Sequence, residues 1–150
     1  RRTGRLVVLE GLNDFENVGL ITRTASALGV GALVLDPTCL DPYYRRSVRV
    51  SMGEVLRMPI ARAQRWPSDL ETVRAAGFEL WALTPGEGSE SIWEIEVPER
   101  VALLAGAEGP GLTQPALTAA DRRVRIPIDA RVDSLNVSHA MAIAIAALGR

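Results

Sequence analysis

Apolar and polar positions form alternating blocks along the chain, and these blocks predict strands and helices in turn. Short apolar runs predict strands at residues 5–10, 31–36, 58–63, 78–84, 101–105 and 122–128. Longer segments with helical spacing and cap residues predict helices at residues 17–29, 51–56, 68–76, 113–120 and 136–149. This alternation predicts an α/β domain, with a mainly parallel sheet and helices on both faces. Ligands bind such sheets at the carboxyl ends of the strands.

The last predicted helix is apolar on nearly every side. Asn136 suits its N-cap and Gly149 its end. A helix that is apolar all round must be buried on more than one side. The polar loop at residues 129–134 leads into this helix and is a candidate ligand site. A well-capped core helix is the plainer interpretation of the same stretch.

Composition places the chain among globular proteins with a core of their own. It has 150 residues, of which 47% are hydrophobic and 23% charged, and this length fits one domain. No apolar run approaches the roughly 20 residues that cross a bilayer. The single cysteine, Cys39, rules out an internal disulfide and a cysteine-rich metal site. We therefore expect Cys39 to be a small buried hydrophobe, and the protein to be cytoplasmic.

Common nucleotide and metal motifs are missing from the sequence. Residues 11–17, after the first strand, lack the G-x-G-x-x-G fingerprint, and no Gly-Lys pair exists for a P-loop. The only histidine, His139, is predicted to be a packing residue rather than a base, and no His/Cys cluster indicates a metal site. The net charge of −1 gives no overall basic signature. All 17 basic residues are arginine, which binds phosphate well, although a genomic bias explains the absence of lysine more simply.

Two places carry candidate chemistry. Residues 106–111 set three glycines around the carboxylate of Glu108 at a strand end, which lets the backbone approach a ligand closely. A tight turn with a solvated Glu108 is the alternative. Arg23 lies within an otherwise apolar helix, where it needs a partner if buried, or forms a salt bridge at the surface. Asn17 and Arg23 are about 240° apart around a helix and share no face unless Asn17 lies off the helix as its cap.

Three stretches, taken together and in order, resemble the motifs of a known family. They are residues 17–25 (Asn-Val-Gly-Leu-Ile-Thr-Arg-Thr-Ala), residues 104–112 (Leu-Ala-Gly-Ala-Glu-Gly-Pro-Gly-Leu) and residues 126–138 (Ile-Pro-Ile-Asp-Ala-Arg-Val-Asp-Ser-Leu-Asn-Val-Ser). The family is the SpoU/TrmH family of RNA 2′-O-ribose methyltransferases, of the SPOUT class. The resemblance covers nearly the whole chain, and no motif position departs from it.

The resemblance implies a fold, a cofactor and partners. The segment from about residue 105 to residue 150 would thread through a loop to form a deep trefoil knot. The family acts on rRNA or tRNA without a metal or a membrane, and it is homodimeric, with the site near the subunit interface. The cofactor would be S-adenosylmethionine. The resemblance places it near Leu83, Thr84, Gly106, Ile126 and Leu135.

The family's catalytic residues map onto five positions here: Asn17, Arg23, Glu108, Ser134 and Asn136. The reaction is an in-line attack of a ribose 2′-oxygen on a sulfonium methyl group, so alignment should supply much of the rate. A guanidinium does not lose its proton in proteins. We therefore interpret Arg23 as a clamp on the RNA phosphate, which leaves Glu108, the phosphate or water to accept the hydroxyl proton. The other three residues would orient groups by hydrogen bonds.

Further expectations concern RNA contact and the extent of the chain. Residues 41–49, with two tyrosines and three arginines, suit base stacking and phosphate contact, or form an ordinary polar surface loop. The first residue is Arg1, and many family members carry an N-terminal RNA-binding domain, so we expect residues 1–150 to be a catalytic fragment. The main alternative function is a non-catalytic knotted RNA-binding or assembly protein, against which the intact catalytic set argues. A Rossmann-type nucleotide enzyme lacks its glycine fingerprint.

Overall fold

Short apolar runs form a seven-stranded sheet within residues 4–149, the part of the chain that the computed structural model describes. Every neighbouring pair of these strands is parallel, and the order across the sheet is β3-β2-β1-β6-β4-β7-β5. The strands are β1 Arg5–Glu10, β2 Ala32–Leu35, β3 Ile60–Arg62, β4 Glu79–Leu83, β5 Glu90–Ser91, β6 Val101–Gly106 and β7 Arg122–Arg125. The α-helices are α1 Phe15–Ala27, α2 Arg45–Val50, α3 Leu70–Ala75, α4 Gln114–Ala119 and α5 Val137–Leu148. Two 3₁₀ turns lie at Glu54–Leu56 and Ile92–Glu94.

Both faces of the sheet are covered by helices. Side chains alternate between the faces of a strand, so Val7 of β1 packs into one core while Val8 packs into the other. The first core contains α1 and α5, through residues such as Ile21 and Met141. The second contains Leu70 of α3 together with α4. The prediction of an α/β domain with a parallel sheet and helices on both faces is confirmed.

The start of α1 differs from the prediction. The N-cap is Asp14, whose Oδ1 accepts a hydrogen bond of 2.8 Å from the backbone N–H of Glu16. Asn17 was predicted to be the cap, but it lies inside the helix and is 5% exposed. Its side chain is therefore available for contacts outside α1. The predicted end is confirmed, since Gly29 follows α1 with φ at +85°.

Helix α2 was not predicted, because residues 41–49 read as a polar loop with aromatics. It forms against α1 at Gly19, where an added Cβ would lie 2.9 Å from the backbone oxygen of Ser47 and 2.9 Å from Cβ of Val50. Ser47 also donates its hydroxyl to the backbone oxygen of Phe15 at 3.1 Å. The close approach to a glycine explains why a short helix without an apolar stripe forms here. A smaller difference is that α3 begins at Leu70, after Asp69 rather than Ser68.

Helix α5 is capped as predicted but is buried on one side. Asn136 Oδ1 accepts from the backbone N–H of Ser138 at 2.8 Å. Within the described chain, α5 is covered by α1 and the sheet, so burial on a further side stays a prediction. A stripe of Ala142, Ile143 and Ala146 faces outward and is half-buried or exposed. This outer α5 stripe leaves an apolar surface next to α1.

The single cysteine, Cys39, is a small buried residue, as predicted. It is 6% exposed, and burial raises the pKa of its thiol to about 12. Its Sγ accepts from the backbone N–H of Leu12 at 3.3 Å and donates to the backbone oxygen of Leu9 at 3.2 Å. The thiol therefore helps to hold the turn between β1 and α1.

The contact at Gly19 gives a test of the α1–α2 packing. We expect Gly19→Ala to lower the free energy of unfolding by about 1–3 kcal/mol, because the added methyl group meets backbone and a branched side chain. Helix propensity alone predicts the opposite, since alanine is better than glycine by about 1 kcal/mol inside a helix. Urea denaturation of the two proteins measures the difference. A stabilised variant would contradict the close packing.

Candidate active site

A cavity of about 440 Å³ lies at the carboxyl ends of β4, β6 and β7. Its walls are the ends of these strands, the segments that follow them and the first turns of α5. Cavities of this size hold ligands as large as nucleosides and drugs. It lies at the edge of the sheet where parallel α/β folds bind ligands.

The structure brings most of the predicted site residues to this cavity. It is lined by all five residues that the family resemblance assigned to the cofactor, Leu83, Thr84, Gly106, Ile126 and Leu135. Of the predicted catalytic residues, Glu108 and Ser134 also line it.

The loop after β6 folds back on itself beside the cavity. An added Cβ at Gly106 would lie 2.5 Å from the carbonyl carbon and oxygen of Gly111, so only glycine fits there. The backbone N–H of Gly111 donates to the oxygen of Ala107 at 2.9 Å and closes the turn. Glu108 stands exposed at the tip. The loop is thus a tight turn with an exposed Glu108, as the alternative interpretation of the sequence held, and it also forms a wall of the cavity.

A chain of amide hydrogen bonds leads from the start of α5 to Glu108. Asn136 uses its Oδ1 as the α5 cap, which also accepts a short hydrogen bond from the Ser138 hydroxyl. Its Nδ2 donates to Asn17 Oδ1 at 3.3 Å. The Nδ2 of Asn17 then donates to Glu108 Oε1 at 3.4 Å. Because the Oδ1 of Asn136 is used by the cap, its NH₂ group faces Asn17. Asn17 must then turn its Oδ1 towards Asn136 and its NH₂ group towards the carboxylate of Glu108.

Arg23 does not join this group within the chain. It is exposed and makes no hydrogen bond or ion pair with the described residues. Because Asn17 lies inside α1, a rotation of about 240° separates the two side chains, which is about 120° by the shorter way around the helix. Arg23 is therefore neither a buried paired charge nor part of a surface salt bridge, the two alternatives that the sequence left open.

His139 is placed differently from the prediction. It was expected to pack in the core, but it lies exposed in the first turn of α5. Its backbone N–H donates to Asn136 Oδ1 at 3.4 Å, so its main chain rather than its ring supports the cap.

Sequence reasoning missed Arg125, a charged residue that lines the cavity. Its guanidinium donates a short hydrogen bond to the backbone oxygen of Ser89 and so ties the loop after β4 to the end of β7. The available signal was its place near the carboxyl end of a predicted strand.

Neither a metal centre nor a membrane segment is visible in residues 4–149. No group of three or more His, Cys, Asp or Glu side chains there could hold a metal ion. None of the helices in this part of the chain is both long and apolar enough to cross a bilayer.

Comparison with known proteins identifies the family. The model of the SpoU rRNA Methylase family matches residues 4–146, nearly the whole chain. The chain belongs to this family. The resemblance noted from the three motifs is confirmed.

Relatives extend the comparison to named proteins and a solved structure. An uncharacterized tRNA/rRNA methyltransferase of Mycobacterium tuberculosis is 51% identical over 142 residues, covering 93% of this chain and 49% of the relative. The 23S rRNA (adenosine(1067)-2′-O)-methyltransferase of Streptomyces azureus is 34% identical over 96% of this chain and 54% of its own length. An AdoMet-bound rRNA methyltransferase from Sinorhizobium meliloti superposes with a TM-score of 0.91 at 34% identity, covering 99% of this chain and 56% of that one. The SpoU-family chain spans about half the length of the curated relatives it matches.

The double role of Asn136 can be separated by two substitutions. We expect Asn136→Ala to lower the free energy of unfolding by about 1 kcal/mol, because α5 loses its N-cap. Asn136→Asp keeps the accepting oxygen and places a negative charge at the helix N-terminus, but it loses the donor to Asn17 Oδ1, so we expect a loss smaller than that of Asn136→Ala. Urea denaturation compares the three proteins. Equal losses in both variants would show that the amide donor to Asn17, and not the cap, carries the stability.

Proposed function

We propose that the chain is an S-adenosylmethionine-dependent methyltransferase domain that transfers a methyl group to a ribose 2′-hydroxyl in rRNA or tRNA. The observation that carries the proposal is the cavity at the carboxyl ends of β4, β6 and β7, with the Asn136–Asn17–Glu108 chain at its side. Membership of the SpoU family supports it. So do the names of two relatives, one a 2′-O-methyltransferase of 23S rRNA and the other an AdoMet-bound rRNA methyltransferase.

The cavity fits the proposed cofactor in size and chemistry. Its volume of about 440 Å³ suits a nucleoside with an amino-acid tail. Gly106 lines the cavity with its backbone, while Leu83, Ile126 and Leu135 offer apolar walls for a flat base. When bound, S-adenosylmethionine supplies an electrophilic methyl group on a sulfonium centre. The residues of this chain have to hold and orient the ribose against it.

Glu108 is the charged group best placed to act on the ribose hydroxyl. Its Oε1 is held by Asn17, while its Oε2 makes no hydrogen bond with the described residues. We propose that Oε2 accepts the hydroxyl hydrogen bond and, as the oxygen attacks, the proton. Ser134, on the cavity wall, would orient the substrate by a further hydrogen bond. Fixing the attacking oxygen in line lowers the entropic part of the barrier.

A second copy of the chain would supply the missing arginine. Arg23 has no partner within the described chain, and it does not share a helix face with Asn17, which holds Glu108. It shares the outward side of α1 with the half-buried Leu20, next to the outer α5 stripe. We propose that these surfaces pair two copies and bring Arg23 of each to the site of the other. There its guanidinium would bind an RNA phosphate and stabilise the developing negative charge.

We also propose that residues 105–150 form the trefoil knot of the SPOUT class. Strand β7 lies between β4 and β5, although β4 and β5 follow one another along the chain. The connection at 84–89 therefore spans the end of β7, to which the Arg125–Ser89 hydrogen bond ties it. Because α4 packs on one face of the sheet and α5 on the other, the chain between them must cross this region. That path supports the threading.

The surface beside α1 suits RNA. Tyr43 and Tyr44 are 52% and 56% exposed, and Tyr44 stacks on Phe15 at 4.4 Å between ring centroids. Arg45 and Arg49 are exposed and unpaired within the described chain. We propose that these side chains contact unpaired nucleotides next to the target, by stacking and phosphate binding. The buried single cysteine and the RNA substrate together favour a cytoplasmic protein.

Calorimetric titration of S-adenosylmethionine, with the molar mass measured alongside, tests the cofactor and the dimer. We expect micromolar binding by a dimer. A folded protein that binds no cofactor would favour the alternative of a non-catalytic RNA-binding protein. A folded monomer that binds the cofactor would remove the proposed role of a second copy.

Mixing two inactive variants tests whether Arg23 acts across the dimer. We expect Arg23→Ala and Glu108→Ala each to lose methylation of rRNA or tRNA transcripts, with the cofactor affinity of Arg23→Ala unchanged. If Arg23 serves the partner's site, random exchange of subunits should restore about a quarter of wild-type activity, because half the dimers are mixed and each has one intact site. No recovery after exchange would place Arg23 and Glu108 in the same subunit's site. Arg57→Ala, an exposed arginine beside the first 3₁₀ turn, is the matched control and should remain active.

A further inference from the structure

Glu10 is a buried carboxylate that the proposed reaction does not use. It ends β1 and is 5% exposed. No ion pair joins it to a described residue, and hydrogen bonds hold its charge instead. Oε1 accepts from the backbone N–H of Thr113 at 2.9 Å, and Oε2 accepts from the Thr113 hydroxyl at 2.7 Å and from Trp66 Nε1 at 2.6 Å. A buried charge is tolerated only with such partners, so the site depends on all three donors.

These hydrogen bonds hold one end of the loop that forms the cavity wall. Glu10 pairs with Gly106 in the β1–β6 register, where the loop begins. Thr113 follows the loop directly and is the N-cap of α4, with its hydroxyl accepting from Ala116 at 3.4 Å. Helix α4 has six residues and is too short to be stable by itself. The loop that carries Glu108 is therefore fixed at one end by β6 and at the other by Glu10.

Trp66 connects this carboxylate to a third segment of the chain. It lies between β3 and α3, in a turn where Asp69 Oδ2 accepts from the backbone N–H groups of Gln64 and Arg65 at 2.9 and 3.0 Å. Trp66 and Leu112, a cavity residue, both pack against the second core. The indole N–H orients the carboxylate of Glu10.

We propose that Glu10 is a positioning residue for the methyl transfer, which rests on the function proposed above. Its carboxylate fixes the loop from Gly106 to Thr113, so that Glu108 and the cavity wall keep their places. Glu10 touches neither the cavity nor Glu108, so it acts through Thr113.

The geometry requires a carboxylate rather than any polar side chain. Each oxygen of Glu10 faces an N–H donor, the backbone of Thr113 on one side and the indole of Trp66 on the other. Glutamine in either orientation would turn its NH₂ group towards one of these donors and leave an N–H unpaired. Replacing Trp66 by phenylalanine removes the indole donor. The NH₂ group of glutamine would then face the Thr113 hydroxyl, which can accept.

This reasoning defines a rescue experiment with a readout that needs no activity. Amide hydrogen exchange of residues 106–113 is measured by mass spectrometry in wild type, Glu10→Gln, Trp66→Phe and the double variant. We expect Glu10→Gln to raise the exchange rate of this segment, and to weaken S-adenosylmethionine binding, by about tenfold each. The double variant should return both values to within about twofold of Trp66→Phe alone. If Glu10→Gln leaves exchange and binding unchanged, or if the double variant is no better than Glu10→Gln, the proposal is wrong.

Thr113 provides a second route if the Glu10 variants do not fold. Thr113→Val removes the hydroxyl that reaches Glu10 and should also raise the amide exchange rate at residues 106–112. Thr113→Ser keeps the hydroxyl, so its exchange rate should equal that of wild type. Equal exchange in both variants would contradict the proposal. Methylation rates are measured last. If wild type fails to methylate RNA, the proposed function fails, while the exchange data still decide whether Glu10 holds the loop.

Discussion

The packing of α1 against α5 is the contact on which the candidate site depends. It brings together Asn17 and Asn136, which are 119 residues apart in the sequence. An amide–amide hydrogen bond adds only about 1 kcal/mol to stability, so it does not by itself hold the helices together. Apolar contacts between the two helices and the sheet do that, through side chains such as Ile21 and Met141. The hydrogen bond then sets the direction of each amide, and this direction gives Glu108 a donor at a fixed place.

The features that could be predicted from the sequence are those that depend on interactions between residues close together in the chain. Apolar runs fixed the central strands, and Asn136 capped α5, because strand burial and capping depend on neighbouring residues. The N-cap of α1 was mispredicted because Asp14 and Asn17 both have suitable side chains, three residues apart. Asp14 caps the helix, while the amide of Asn17 is used by Asn136 and Glu108. That choice follows from tertiary contacts, which no local pattern contains.

The features that the sequence did not predict also depend on tertiary contacts. Residues 45–50 have no apolar stripe, and they form α2 because Gly19 lets them approach α1 closely. Arg23 stood out as the one charged residue in an apolar stretch, but its direction depended on where α1 begins. The predictions of a knot and of a dimer rest on the family resemblance, since threading has no periodic signal in a sequence.

Some arginines form ion pairs, some donate to backbone oxygens, and others have no partner among the described residues. This difference is more informative than the number of arginines. Arg5 donates to the backbone oxygens of Glu99 and Leu148, and Arg62 donates to those of Asp36, Cys39 and Leu40, so both tie chain ends and turns together. Arg23, Arg45 and Arg49, on the neighbouring helices α1 and α2, have no such partners.

Ordering the side chain of an exposed arginine costs conformational entropy when a ligand binds it. A polyanion compensates for this cost, because each phosphate accepts two parallel hydrogen bonds from one guanidinium. An acidic or neutral partner surface would compensate only in part, since it has fewer charges at the spacing of a nucleic-acid backbone. The exposed arginines of α1 and α2 therefore support the proposed binding of RNA, although the net charge of the whole chain is −1.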